Sequence, residues 1–317
     1  MKKRRKLKNA TIGDWIIAFI MLVLIALCVL PLITVVASSL SDPAAIVRQE
    51  VTFLPRVENV LSETLDEHGR YMRDVRFPIG VQFEAYGDIF ANSAFMRALI
   101  WTAILTLITT MFSLFMTVLC AYPLTYDNLK GRKIITIIFI FTMFFNAGMV
   151  PTFVLYQNLG LLDNPLVLIL PGFVSVFLMI IMRRFFLGIP DSLRESAEMD
   201  GAGPLRVLIS IYLPLSTPVL ATLGLMYAVG RWNGMTDAMW FLRQAREWHP
   251  IQMVLFNILQ GVTPIDPLDP GAAAAPAGRT AAVEAAAIVV AMVPILCVYP
   301  WLQKYFVSGV TLGAVKG

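Results

Sequence analysis

The sequence predicts an all-α membrane protein that crosses the bilayer six times. Composition and the grouping of apolar residues predict it. Of 317 residues, 58% are apolar and 15% charged, against about 45–50% and about 25% in an average soluble domain. Mean hydropathy is +0.73, and the apolar residues gather into long uncharged runs. This pattern excludes a soluble enzyme, a disordered chain and a small disulfide-stapled domain. Cys28, Cys120 and Cys297 all lie inside apolar runs, while His68 and His249 stand alone in polar stretches. Neither a disulfide framework, a metal site nor a cofactor is implied.

A helix needs about 20 mostly apolar residues to cross the hydrocarbon core, and there it must satisfy its own backbone. Six runs qualify: 15–37, 98–126, 134–162, 164–182, 207–230 and 285–303. The first follows a basic tail, as a signal peptide would, but its 23 residues exceed the usual h-region of about 7–15. It reads as an anchor helix. Pro123 and Pro151 near the margins of the second and third runs imply turns or interfacial ends, and Pro31, Pro214 and Pro218 imply kinks. A seventh patch, 251–262, is too short to span and is broken by Gln252, Asn257 and Gln260. It reads as an interfacial or re-entrant helix. The organisation is then a basic tail at 1–14, a permeating domain at 15–303 with its core at about 98–303, and a short tail at 304–317.

Six spans put both termini on one side, and charge says which. The side holding the termini, 127–133 and 183–206 carries 15 Lys and Arg against 6 acids; the other carries 10 against 15. The first side is cytoplasmic. The basic balance therefore reports topology and contact with anionic headgroups, with no call for nucleic acid.

Phosphate-loop, dinucleotide-binding and zinc-binding motifs are missing. Span interiors hold no ionisable residues of the kind ion-coupled carriers use. Arg97, Arg231 and Glu284 lie at span ends, where snorkelling is the simplest account. If the protein moves a solute, the energy comes from elsewhere. A secondary carrier or channel remains the rival of another class, and an integral-membrane enzyme would need a polar constellation that two isolated histidines do not supply.

The most informative stretch is 190–214, between the fourth and fifth runs. Pro190 and Asp191 end the preceding segment. Ser192 and Glu195 have the S-x-x-E spacing of a capping box, which predicts a short helix stopped by Gly201 and Gly203, with Pro204 starting the next. Leu193 and Ala197 share a face, with Met199 nearby, while Arg194, Glu198 and Asp200 point elsewhere. Such a helix is either a capped connector or an element that docks into a partner's groove.

Glu195-Ser196-Ala197, Gly201 and Ile211-x-Leu213-Pro214 resemble the EAA loop of ABC importer permeases. Every spacing matches, with Ser196 in place of the first alanine. Further stretches resemble the carbohydrate-uptake branch, the MalG-like and LplC-type permeases: 145–152, 158–163, Arg231-Trp232-Asn233 and 299–307. The resemblance departs at a charged segment, 56–76, and at the Ala- and Pro-rich 270–287. It implies a type I importer permease fold with a cytoplasmic coupling helix and no catalytic centre. It also implies three protein partners: a cytoplasmic ATP-binding subunit, a second, homologous permease (usually a different chain) and an extracytoplasmic solute-binding protein. The host membrane would be a prokaryotic plasma membrane. On this resemblance Ser192, Leu193, Glu195, Ser196, Ala197, Gly201, Ile211, Leu213 and Pro214 belong to the coupling element, where Gly201 serves a turn or a close approach. Sugars are bound by aromatic stacking and neutral hydrogen-bonding groups, so Asn146, Tyr156, Gln157, Tyr227, Trp232 and Asn233 are the substrate-path candidates. Segment 56–76 reads first as a solvated face and second as a landing surface for the binding protein.

Overall fold

The computed structural model describes residues 12–65, 71–145, 147–261 and 277–314. These divide into two compact units, one running to Asn92 with Ile258–Val290, the other Ser93–Asn257 with the last helix from Ala291 onward.

In the first unit, α1 (Ile12–Ser39) is an unbroken apolar helix despite Pro31. None of its most apolar stretch is covered by this chain, as expected of a lipid-facing anchor. Ser41, buried beyond its end, accepts from Arg56 N–H at 3.1 Å. Asp42 caps α2 (Pro43–Val47) through Ala44 N–H at 2.8 Å. Within the charged segment β1 (Asn59–Leu65) pairs antiparallel with β2 (Tyr71–Arg76), which composition did not predict. The register sets Glu63 opposite Arg73, and a bulge lies between Val60 and Ser62. Helix α3 (Glu84–Ala91) follows, and Arg279 grips Asp88 with two bonds of 3.0 and 3.1 Å.

The second unit is built on α4 (Ser93–Ala121), which ends in a 3-10 turn at Pro123. The third run breaks into α5 (Arg132–Phe144) and α6 (Met149–Asn158), and Gly148 precedes α6 at φ +86°. The fourth run was expected as one helix. Pro165 and the Pro171-Gly172 pair instead hold it in 3-10 turns, and only α7 (Val176–Phe186) is α-helical, bent 41° from the turns.

Beyond α7 come α8 (Asp191–Met199) and α9 (Pro204–Val207), a π-helical turn (Leu208–Tyr212), α10 (Leu213–Leu215) and α11 (Thr217–Trp232). The fifth run is therefore no straight span, since 204–215 and 217–232 meet at 82°. Pro214 has no N–H and clashes with a straight helix; Leu213 N–H reaches back to Leu208 O, five residues, and the backbone widens. Short α12 (Thr236–Phe241) and α13 (Ile251–Leu259) precede α14 (Ala277–Ala314). Helix α13 is nine residues, too short to span, as read from sequence. Helix α14 continues to Ala314, through most of the segment read as a tail. Among the described residues three helices are long and apolar enough to cross a membrane unbroken, and three bent pairs qualify together, six spans if each pair is one.

The core of the second unit joins α4, α7 and the 207–223 segment through Tyr122, Phe186, Tyr212 and Met182. A smaller core gathers Leu105, Val167, Leu168 and Phe241.

Candidate functional site

Helix α8 begins one residue before the predicted cap. Pro190 occupies the N-cap position without a side-chain bond, and Ser192 lies inside the helix. The capping-box reading is corrected: Pro190, at φ −58° and ψ 130°, already supplies an extended residue at the boundary. The helix ends as a Schellman motif. Gly201 N–H bonds Glu198 O at 3.0 Å and Ala202 N–H bonds Ala197 O at 2.9 Å. This needs φ +80° at Gly201, where an added Cβ would meet nothing within 4 Å of its own chain. The glycine serves the turn.

Arg194 and Ala197 seat the helix. Ala197 packs against the larger core. The Arg194 guanidinium lies 4.9 Å from the Tyr126 ring centroid and pairs with Asp191 at 2.9 Å and Glu198 at 3.9 Å. Burial works against its charge, but these acids outweigh burial and its pKa stands above the ordinary arginine value. Such cation–π contacts contribute about 0.5–2 kcal/mol. Leu193 therefore does not share the seated face. It is exposed together with Ser192, Glu195, Ser196 and Met199, the last at 88%.

Aromatic rings tie this loop to α4. Tyr122 donates to Pro204 O at 3.0 Å and shares a 2.6 Å hydroxyl bond with Tyr126. Tyr122, Phe186 and Tyr212 meet edge to face, with centroids 5.1–6.1 Å apart. Arg183 Nε adds a 2.9 Å bond to Leu124 O. These contacts join the 190–214 loop to α4 and the 204–215 segment. Ile211 and Leu213 pack partly buried on the same core, while Pro214 is exposed at the π turn.

Farther along α11 a pocket of about 340 Å³ opens between α4, α7 and α11, lined by Thr109, Ser113, Ser175, Tyr227, Arg231 and Asp237 together with apolar side chains. Of the six path candidates, Tyr227 lines it. Its hydroxyl bonds Thr117 at 2.7 Å and accepts from Ser175 N–H at 3.0 Å, pinning α4 to the start of α7. Trp232 is buried and donates to Ala291 O at 3.2 Å. Asn233 bonds Val229 O at 3.0 Å, closing the end of α11. Tyr156 packs edge-on to Phe241, Gln157 is exposed, and Asn146 lies outside the described residues. Arg231 does not snorkel. Its side chain is only 12% exposed and donates to Leu168 O at 3.0 Å.

Residues 102–312 match the family described as binding-protein-dependent transport system inner membrane component. The chain belongs to this family. A polygalacturonan/rhamnogalacturonan transport permease, YtcP of Bacillus subtilis strain 168, is 36% identical over 310 residues, covering 96% of this chain and 98% of the relative. LplC of the same organism is 40% identical over 243 residues, 76% of this chain and 81% of LplC. Among solved structures, a chain of a bacterial ABC transporter that imports the acidic polysaccharide alginate matches with a TM-score of 0.79 at 32% identity, covering 94% of this chain and 99% of that one.

Membership makes the protein a multi-pass inner-membrane permease, a transport subunit and no enzyme. It works with a separate ATP-hydrolysing subunit, a second permease and a binding protein. The sequence reading missed the permease's polar pocket, although Thr102, Thr106, Thr109, Ser113 and Thr117 on α4 recur at helical spacing. That stripe was the available signal.

Proposed function

We propose that this permease forms half of the path of an ATP-driven oligosaccharide importer, beside a companion chain of different sequence, and that α8 docks into the ATP-hydrolysing subunit. The seating of α8 carries the reading. One face is held by Arg194 and Ala197, and the other presents Leu193 and Met199 beside Glu195 and Ser196. In a lone chain, Met199 exposed at 88% is unexplained apolar surface; against a partner's groove it is an anchor. ATP-driven closure of the partner subunits moves α8 as a rigid body, and Tyr122, Tyr126 and Tyr212 pass the motion to α4 and α11. The residues 190–214 and both termini then lie in the cytoplasm, a placement supported by 15 Lys and Arg on that side against 10 on the other.

Two relatives support carbohydrate cargo by name, as does AraQ of Bacillus subtilis, an arabinooligosaccharide permease 28% identical over 76% of this chain. The names leave the charge of the cargo open, because they include acidic and neutral polymers. The test uses Leu193→Asp with Met199→Asp. Both sites are exposed, so the permease should still enter the membrane and still purify with its companion permease. The ATP-hydrolysing subunit should be lost from the complex, together with ATP-driven uptake. Full retention of that subunit would place its docking surface elsewhere.

A further inference from the structure

A buried cation is costly unless paired. Arg231 is such a cation, set in the wall of the 340 Å³ pocket. Its pairing is incomplete. Nη1 donates to Leu168 O at 3.0 Å and lies 3.5 Å from Asp237 Oδ2, and Nη2 lies 3.5 Å from Gly234 O. Nε is buried and has no partner. Asp237 is itself 54% exposed, so water competes for its charge and it is a loose counter-ion.

The rest of the lining is neutral, with four hydroxyl residues set among Leu168, Ile169, Leu178 and Met226. Thr109, Ser113, Ser175 and Tyr227 supply the hydroxyls, while Gly172 and Gly230 have open space where side chains would stand. Hydroxyls suit sugar rings. A guanidinium in the pocket wall, held by one short bond and a loose counter-ion, suits a carboxylate. We infer that Arg231 reads a carboxylate on the passing sugar, so the cargo is an acidic, uronate-containing oligosaccharide, and that Asp237 is the counter-ion the carboxylate displaces. This rests on the oligosaccharide reading above and adds the sign of the cargo's charge.

The test is uptake by the complete importer in ATP-loaded proteoliposomes at saturating binding protein. The probes are trigalacturonate, its methyl ester, which has the same rings without charge, and neutral raffinose. The ratio of acid to ester uptake is compared between wild type and variants, so discrimination by the unchanged binding protein cancels. Arg231→Gln should lower the ratio by at least about tenfold, the size expected from lost hydrogen bonds to a charged group, and Arg231→Lys should restore part of it. A merely structural role would slow acid and ester alike; an unchanged ratio overturns the inference. If Arg231→Gln fails to reach the membrane, Asp237→Asn decides. Freed of its competitor, Arg231 should then lower the KM for trigalacturonate severalfold and leave that for the ester alone, whereas an unchanged KM for the acid overturns the inference. Wild type that carries raffinose but no trigalacturonate sinks the acidic cargo and spares the oligosaccharide reading. Wild type that carries none of the probes sinks both.

Discussion

Replacing Gly201 separates backbone strain from side-chain contact. Gly201 sits at φ +80° with open space where a Cβ would project, so within the permease a substitution there costs conformation alone. An L-residue with a Cβ is disfavoured in this region by about 1–2 kcal/mol, enough to shift an equilibrium about 5- to 30-fold. The strain falls on the bonds from Gly201 N–H to Glu198 O and Ala202 N–H to Ala197 O, which stop α8 and turn the chain toward Pro204. Asparagine visits left-handed backbone more readily than alanine, and a β-branched residue least of all. ATP-driven uptake, normalised to permease in the membrane, should therefore fall in the order Gly, Asn, Ala, Val. A size-limited contact with the partner would rank Ala above Asn. Wild-type uptake in Gly201→Ala, or Asn below Ala, would refute the strain argument.

Three further outcomes follow from single bonds. Tyr122→Phe removes the hydroxyl that donates to Pro204 O; it should cost about 0.5–1.5 kcal/mol, seen as a lower unfolding midpoint in detergent and weaker retention of the ATP-hydrolysing subunit. Thr117→Val breaks the 2.7 Å bond to Tyr227 and should cost about 0.6 kcal/mol, the average for such bonds between membrane helices. A double-mutant cycle with Tyr227→Phe should show the two costs to be coupled. Trp232→Phe removes the bond to Ala291 O and should cost about 0.5–1.5 kcal/mol, again read from the unfolding midpoint.

Much of the fold was legible because lipid imposes length and apolarity on a span, and both are visible in a run of residues. The Glu195 to Pro214 spacing located the loop for a similar reason: two of its positions have a local backbone duty, the left-handed turn at Gly201 and the π turn before Pro214. Which face of α8 is seated was not legible. Arg194 turns inward because it stacks on Tyr126, a long-range contact that helical periodicity cannot contain. The 82° bend was likewise hidden, since Pro214 and Pro218 announce a break and not its angle. Arg231 was discounted by its place at a span end, where most arginines reach for the interface. Leu168 O draws it inward instead.

The most direct test of the account is cysteine cross-linking in the assembled importer, with Cys28, Cys120 and Cys297 replaced by serine. Met199→Cys, on the exposed face of α8, should cross-link to the ATP-hydrolysing subunit, and Arg243→Cys, in the loop after α12, should not. Cross-linking from position 243 with none from position 199 would contradict both the docking role of α8 and the orientation that places it in the cytoplasm.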